Sequence, residues 1–242
     1  MKKIIFLILF SFFHINLFSQ KDISYLSHLW FQYFETINVN KKWALNADVG
    51  NRIVENNGKI NYTSQFFVRA GLGYNGIRNF NILAGYALFF TSNAQDIPIQ
   101  ENRIWQRIQY NFNIKKLKFT NRFRFEQRWR QSIGNIENEN YLFNTRIGNQ
   151  IGVQVPFRNI TINKKELSLV LSDEIFLNLG GIAKDYLFDQ NRIHIGLVCN
   201  INPNLSVGIG FLHIYSRRIL TNDYIISNGF RIVLNHNINL SP

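Results

Sequence analysis

Two glutamates, Glu126 and Glu174, stand among arginines in an arrangement that could do chemistry. Arg103, Arg107, Arg122, Arg124, Arg128, Arg146 and Arg192 fall on the same polar side of alternating segments. A carboxylate and a guanidinium can share two parallel hydrogen bonds. Confined together, such a set locks side chains, binds or passes an anion, or supplies a catalytic acid. Locking is the favoured reading, because a narrow barrel must fill its interior with side chains.

Other candidates are weaker. His213 and Ser216 are close in the chain, but their parity differs, so they face opposite sides of a strand. His213 and His236 fall on an apolar face, where only an interfacial site would suit them. His28 and His194 fall on a polar face with no evident nucleophile beside them. A Ser-His hydrolase needs nucleophile, base and orienting group in reach of one another. Gly71-Leu72-Gly73-Tyr74 and Gly208-Ile209-Gly210-Phe211 look like fragments of a nucleotide loop, but no helix follows either. Glycine in these strands leaves room for a large neighbour. Cys199 is the single cysteine, so no internal disulfide or thiolate cluster can form. No metal-ligand spacing stands out, and no cofactor is expected.

What positions the charges is a period of two. From Lys118 to Arg130, Phe119, Phe123, Phe125 and Trp129 share one face, and Lys118, Thr120, Arg122, Arg124, Glu126, Arg128 and Arg130 share the other. The pattern returns from Trp43 to Gly50, from Gln65 to Leu72, from Arg103 to Phe112, from Tyr141 to Gln154, from Leu205 to Phe211 and from Tyr224 to Asn235. About eleven such segments are countable, each long enough for a tilted strand to cross a bilayer. Bacterial single-chain barrels normally have an even count, so twelve strands are expected, with ten next. Connections at 39–42, 75–79, 115–116 and 202–204 are tight, whereas 91–100, 131–140 and 180–189 are longer. The stretch 156–165 is long where a short turn is due.

A net charge of +12 would suggest nucleic acid in a soluble chain. Here basic residues recur at every second position instead of in runs, so no nucleic acid is expected. Lys2 and Lys3 precede an apolar run from Ile4 to Phe13, too short for a membrane helix. Residues 1–19 therefore read as a cleaved signal peptide and 20–242 as the mature domain. Export without a later membrane helix leaves an outer-membrane barrel, a secreted protein or a soluble periplasmic protein.

Arg124-Phe125-Glu126-Gln127-Arg128-Trp129, Asp173-Glu174-Ile175-Phe176-Leu177-Asn178 and Asp189-Gln190-Asn191-Arg192 occur in that order. The set resembles a bacterial family catalogued as a domain of unknown function and held to be outer-membrane barrels. The resemblance implies a barrel and an outer-membrane address, and no reaction. The expected protein is thus all-β: a single transmembrane, antiparallel, up-and-down barrel in the outer membrane of a Gram-negative bacterium. Its expected role is non-enzymatic, as a structural barrel or a porin-like narrow pore lined by arginine and glutamate. Outer-membrane lipid, the barrel-insertion machinery and small anions are the expected partners. A lipid-modifying enzyme and a soluble periplasmic barrel holding an apolar ligand are the alternatives.

Overall fold

Alternating residues become strand after strand in the computed structural model, which describes residues 22–56, 59–92, 98–132, 141–162, 165–218 and 223–240. The strands are β1 (Ile23–Asn38), β2 (Trp43–Asn56), β3 (Lys59–Tyr74), β4 (Phe80–Ser92), β5 (Pro98–Ile114), β6 (Leu117–Gln131), β7 (Tyr141–Ile162), β8 (Lys165–Gly181), β9 (Phe188–Asn202), β10 (Leu205–Arg217) and β11 (Tyr224–Asn239). Each pairs antiparallel with the next, and β1 closes on β11 to make one barrel. Segment 1–19, expected to be a signal peptide, lies outside the described residues, as do much of the 91–100 and 131–140 connections.

The all-β barrel is as expected, but it has eleven strands, not twelve or ten. An odd count makes the first and last strands run the same way, so the closing pair is parallel where an antiparallel one was expected. The parallel register is continuous from Ile23↔Tyr224 to Asn38↔Asn239. Side chains also stitch it: His28 Nδ1 to Ser227 Oγ at 2.7 Å, and Arg231 Nη2 to Gln32 Oε1 at 2.7 Å. The long connection read at 156–165 is also corrected. β7 and β8 instead run on past Pro156, with an irregularity between Pro156 and Thr161, and pair as far as Ile162↔Lys165.

Following paired residues once around the wall from Asn38 leads through Gly73, Arg107, Gly148 and Gln190 back to Ser24. That displacement of fourteen residues is the stagger of a closed barrel, whose strands tilt about 35–45° from its axis. Tight turns such as Lys115–Lys116, where Lys115 takes φ 55°, gather at one end. The 182–187 connection lies at the other end, tied down by Asn178 N–H to Leu187 O and Ile182 N–H to Phe143 O.

Alternation sets the two faces. Outward residues such as Phe123 and Phe230 are both 56% exposed, while inward Glu126 is 2% exposed. One inner wall is apolar: Trp30, Phe67, Leu83, Phe89, Trp105 and Leu212 pack together inside the barrel. Two inward glycines make space for rings. A Cβ at Gly50 would meet the Phe67 ring at 2.4 Å, and one at Gly148 would meet Phe176 at 2.6 Å.

Candidate lumen charge network

β5 to β9, with β2, β3 and β11, carry the charges, and period-two alternation turns them inward into a cavity of about 1430 Å³. They divide into two groups. The first is nearer the long-loop end and consists of Arg103, Arg128 and Arg146 with Glu101, Glu126 and Asp189. Arg128 forks onto Glu101, Nε to Oε1 at 2.8 Å and Nη2 to Oε2 at 3.1 Å. Arg103 also bonds Glu101 and reaches Glu126 at 3.4 Å. Arg146 donates to Glu126 Oε2 at 2.8 Å and to Asp189 Oδ2 at 2.5 Å. Three guanidiniums meet three carboxylates, and Glu101 and Glu126 are buried in the wall, away from the cavity lining. We call this group the collar.

The second group lies deeper, at mid-barrel. Glu174 accepts from Arg122 at 2.9 Å and Arg124 at 2.5 Å, with Arg192 at 3.6 Å. Arg124 also approaches Glu126 at 3.3 Å and so links the groups. Arg69 donates to Asp48 at 2.9 Å. Arg107 bonds Asn81 Oδ1 at 2.7 Å and pairs with no carboxylate among the described residues. Arg231 is held by Gln32, whose Nε2 reaches Asp48 at 3.4 Å. Four arginines, Arg69, Arg122, Arg124 and Arg192, thus share Glu174 and Asp48, while Arg107 and Arg231 stand beside them on amide partners.

Aromatic faces hold paired and unpaired arginines alike. Phe176, wholly buried, lies under Arg146, Arg192 and Arg124 at 4.3, 4.9 and 5.0 Å. Trp30 carries Arg52, Arg231 and Arg192 at 4.5, 5.5 and 5.7 Å. The weaker hydration of guanidinium makes it suited to such stacking.

All nine residues expected to line the lumen, Arg103, Arg107, Arg122, Arg124, Glu126, Arg128, Arg146, Glu174 and Arg192, lie on inner faces, and eight of them enter carboxylate–guanidinium contacts. Arg107 is the exception. Sequence reasoning missed Glu101, Asp189, Asp48, Arg69 and Arg231. Glu101 was findable, since it stands two residues from Arg103 on the same strand. Asp189 was not findable by parity. Arg192 and His194 put the even positions of β9 inside, but the register shifts between Phe176 and Leu177, so that Gln190 pairs with Phe176 and Phe188 with Leu177. The extra residue is a β-bulge, and it re-aims Asp189 into the lumen.

Of the four described histidines, His194 lines the cavity beside the arginines, and the other three stand apart from the network. His28 and Ser227 bond each other but do not border the cavity. On the outer face, His213 Nδ1 meets Asn228 Oδ1 at 2.7 Å. Ser27 stands in the same row, but β11 separates it from His213. His236 bonds Glu35 at 3.0 Å, and Tyr33 also contacts Glu35. No group of three or more His, Cys, Asp or Glu with metal-holding geometry occurs among the described residues.

The family model for a protein of unknown function (DUF2490) matches residues 27–224, which is most of the chain. The chain belongs to the DUF2490 family. That match takes in nine complete strands, β2 to β10, with most of β1 and only the first residue of β11, and so every member of the collar and of the mid-barrel group except Arg231. No curated protein and no solved structure matches this DUF2490 chain.

Proposed function

We propose that this DUF2490 protein is an outer-membrane β-barrel, exported by a cleaved signal peptide at 1–19, whose lumen is a narrow, non-enzymatic pore for small anions. The observation that carries the membrane address is a pair of outward aromatic girdles. At the tight-turn end, Trp43 packs on Tyr74, Phe80 on Tyr110, and Phe112 on Phe119, with ring centroids 4.9, 4.8 and 5.2 Å apart. At the long-loop end, Trp129 packs on Phe143 and Phe188 on Tyr215, with ring centroids 5.1 and 5.5 Å apart. Between the girdles the outer wall offers Ile104, Ile108, Phe123, Ile151, Ile195 and Ile209 to its surroundings. An apolar band edged by two aromatic belts is the outer surface that a bilayer stabilises. Water would leave this surface uncompensated.

The anion preference rests on the cavity lining, in which arginines far outnumber carboxylates among the described residues. A low-dielectric wall around surplus positive charge concentrates anions and repels cations. Membrane fractionation and planar-bilayer recording test both parts. The mature chain should co-purify with outer membrane and run faster unboiled than boiled, and its conductance should be anion-selective. Recovery from the soluble periplasm would overturn the address, and a silent barrel would overturn the pore.

A further inference from the structure

We infer that the mid-barrel group is a binding site for a phosphate group, a doubly charged tetrahedral oxyanion. This rests on the anion-accepting lumen proposed above and goes further, assigning a ligand class and the residues that hold it. Arg69 from β3, Arg107 from β5, Arg122 from β6 and Arg231 from β11 converge from four strands. Arg107 feels the charges of Arg122, Arg124 and Arg69, and Arg231 feels those of Arg122 and Arg69. Four guanidiniums brought within electrostatic reach repel one another unless something negative stands between them.

The two carboxylates in reach are already engaged. Asp48 is bonded to Arg69, and Glu174 is shared by Arg122, Arg124 and Arg192. Separately, Arg107, Arg122 and Arg231 each bury an Nε–H with no acceptor. A buried donor without a partner costs free energy that a bound acceptor would recover. The collar carries as many carboxylates as guanidiniums, and its one buried donor without a hydrogen bond, Arg128 Nη1, still faces Asp189 at 3.9 Å.

The arginines are also held in place before any ligand arrives. Trp30 stacks Arg231, and Gln32 fixes the far edge of the same guanidinium. Phe67 and Trp105 flank Arg69 at 5.2 and 5.8 Å, and Asn81 holds Arg107. Forked guanidiniums lining one cavity suit the several oxygens of a tetrahedral oxyanion, whereas chloride uses no fork. The cavity is far larger than one ion, so the phosphate can be free or can carry an organic body.

The test is thermal melting of the purified full-length barrel, read by its gel mobility shift. Inorganic phosphate, phenyl phosphate and chloride are compared at equal ionic strength. Wild type should melt at a saturably higher temperature with phosphate and not with chloride, since a ligand bound only by the folded state stabilises it. Binding by either phosphate compound supports the site, and the tighter one identifies the source. Arg107→Gln and Arg231→Gln should each weaken the phosphate response at least tenfold. Arg107→Gln alone should melt no lower than wild type without phosphate, because it relieves repulsion, whereas a merely structural arginine would lower melting. Arg107→Lys covers a glutamine variant that fails to assemble. It keeps the charge, loses the fork, and should bind several-fold more weakly than wild type. Arg103→Gln, in the collar, should melt lower yet keep the phosphate response. An equal response to chloride, full phosphate affinity in both arginine variants, or no saturable response from folded wild type would overturn the site. None of those results alters membrane fractionation or current, which test the pore separately.

Discussion

The collar and the mid-barrel group are made of the same residue types on neighbouring stretches of the same strands, yet they are built for different ends. In the collar, Arg103, Arg128 and Arg146 meet Glu101, Glu126 and Asp189, and two of the three acids are buried behind the lining. Charge is neutralised there and strands β5, β6, β7 and β9 are tied across the lumen. In the middle, six arginines stand beside two acids that contact four of them, and aromatic rings and amides supply the remaining support. A buried pair is weak evidence for stability, but breaking one is costly, since it strands the partner charge. A surplus does the opposite: it costs stability when empty and waits for an anion. On the function proposed above, the collar is the lock and the middle is where an anion would be felt.

The largest effect should come from breaking the lock. Glu126→Gln removes one counter-charge from each of Arg146, Arg103 and Arg124 at once, leaving them Asp189, Glu101 and Glu174 respectively. It should cost about 3–5 kcal/mol of folded stability, read as a fall in the temperature at which the fast-running band disappears. Unchanged melting would mean that the collar is not the lock.

Next, the inside–outside assignment under both groups can be tested on β6. Phe123→Arg on the apolar outer face should cost about 2–4 kcal/mol if that face meets lipid. Arg122→Gln, one residue away on the inner face, should be tolerated far better. Equal losses at both positions would dissolve the distinction.

Smaller again is Glu174→Gln. It frees Arg122 and Arg192, but Arg124 keeps Glu126, so a loss of about 1–3 kcal/mol is expected. Its signature is functional, because selectivity should move further toward anions while Glu126→Gln moves it less. Gln32→Leu should have the smallest effect, about 1 kcal/mol. Phosphate affinity should fall with it, since Arg231 loses its tether. An unchanged phosphate response would remove Gln32 from the site.

Much of the barrel was legible in the sequence, because a one-residue change of parity would turn every Phe of β6 inward and every Arg outward. Nothing in Phe119 to Trp129 allows that ambiguity. The seam was less legible. The closure of β1 on β11 depends on the total strand count, and an even count was the better expectation for a bacterial chain. Within the site, Arg124 and Glu126 announced themselves, since they are inward neighbours on one strand. Their partners did not. Whether Glu174 meets Arg122 or Arg146 depends on cross-strand register, which alternation along a single strand leaves open. Asp189 was hidden by the bulge at the start of β9. Arg69 and Arg231 were hidden by company, standing beside Phe67 and across the seam from Trp30.

The central claim is that the lumen carries uncompensated positive charge at mid-barrel, and ion selectivity tests it most directly. The reversal potential of wild-type barrels in a planar bilayer, under a potassium chloride gradient, should have the sign of an anion-selective pore, and Arg107→Gln should move it toward zero. A cation-selective reversal potential, or one that Arg107→Gln leaves unmoved, would contradict the account.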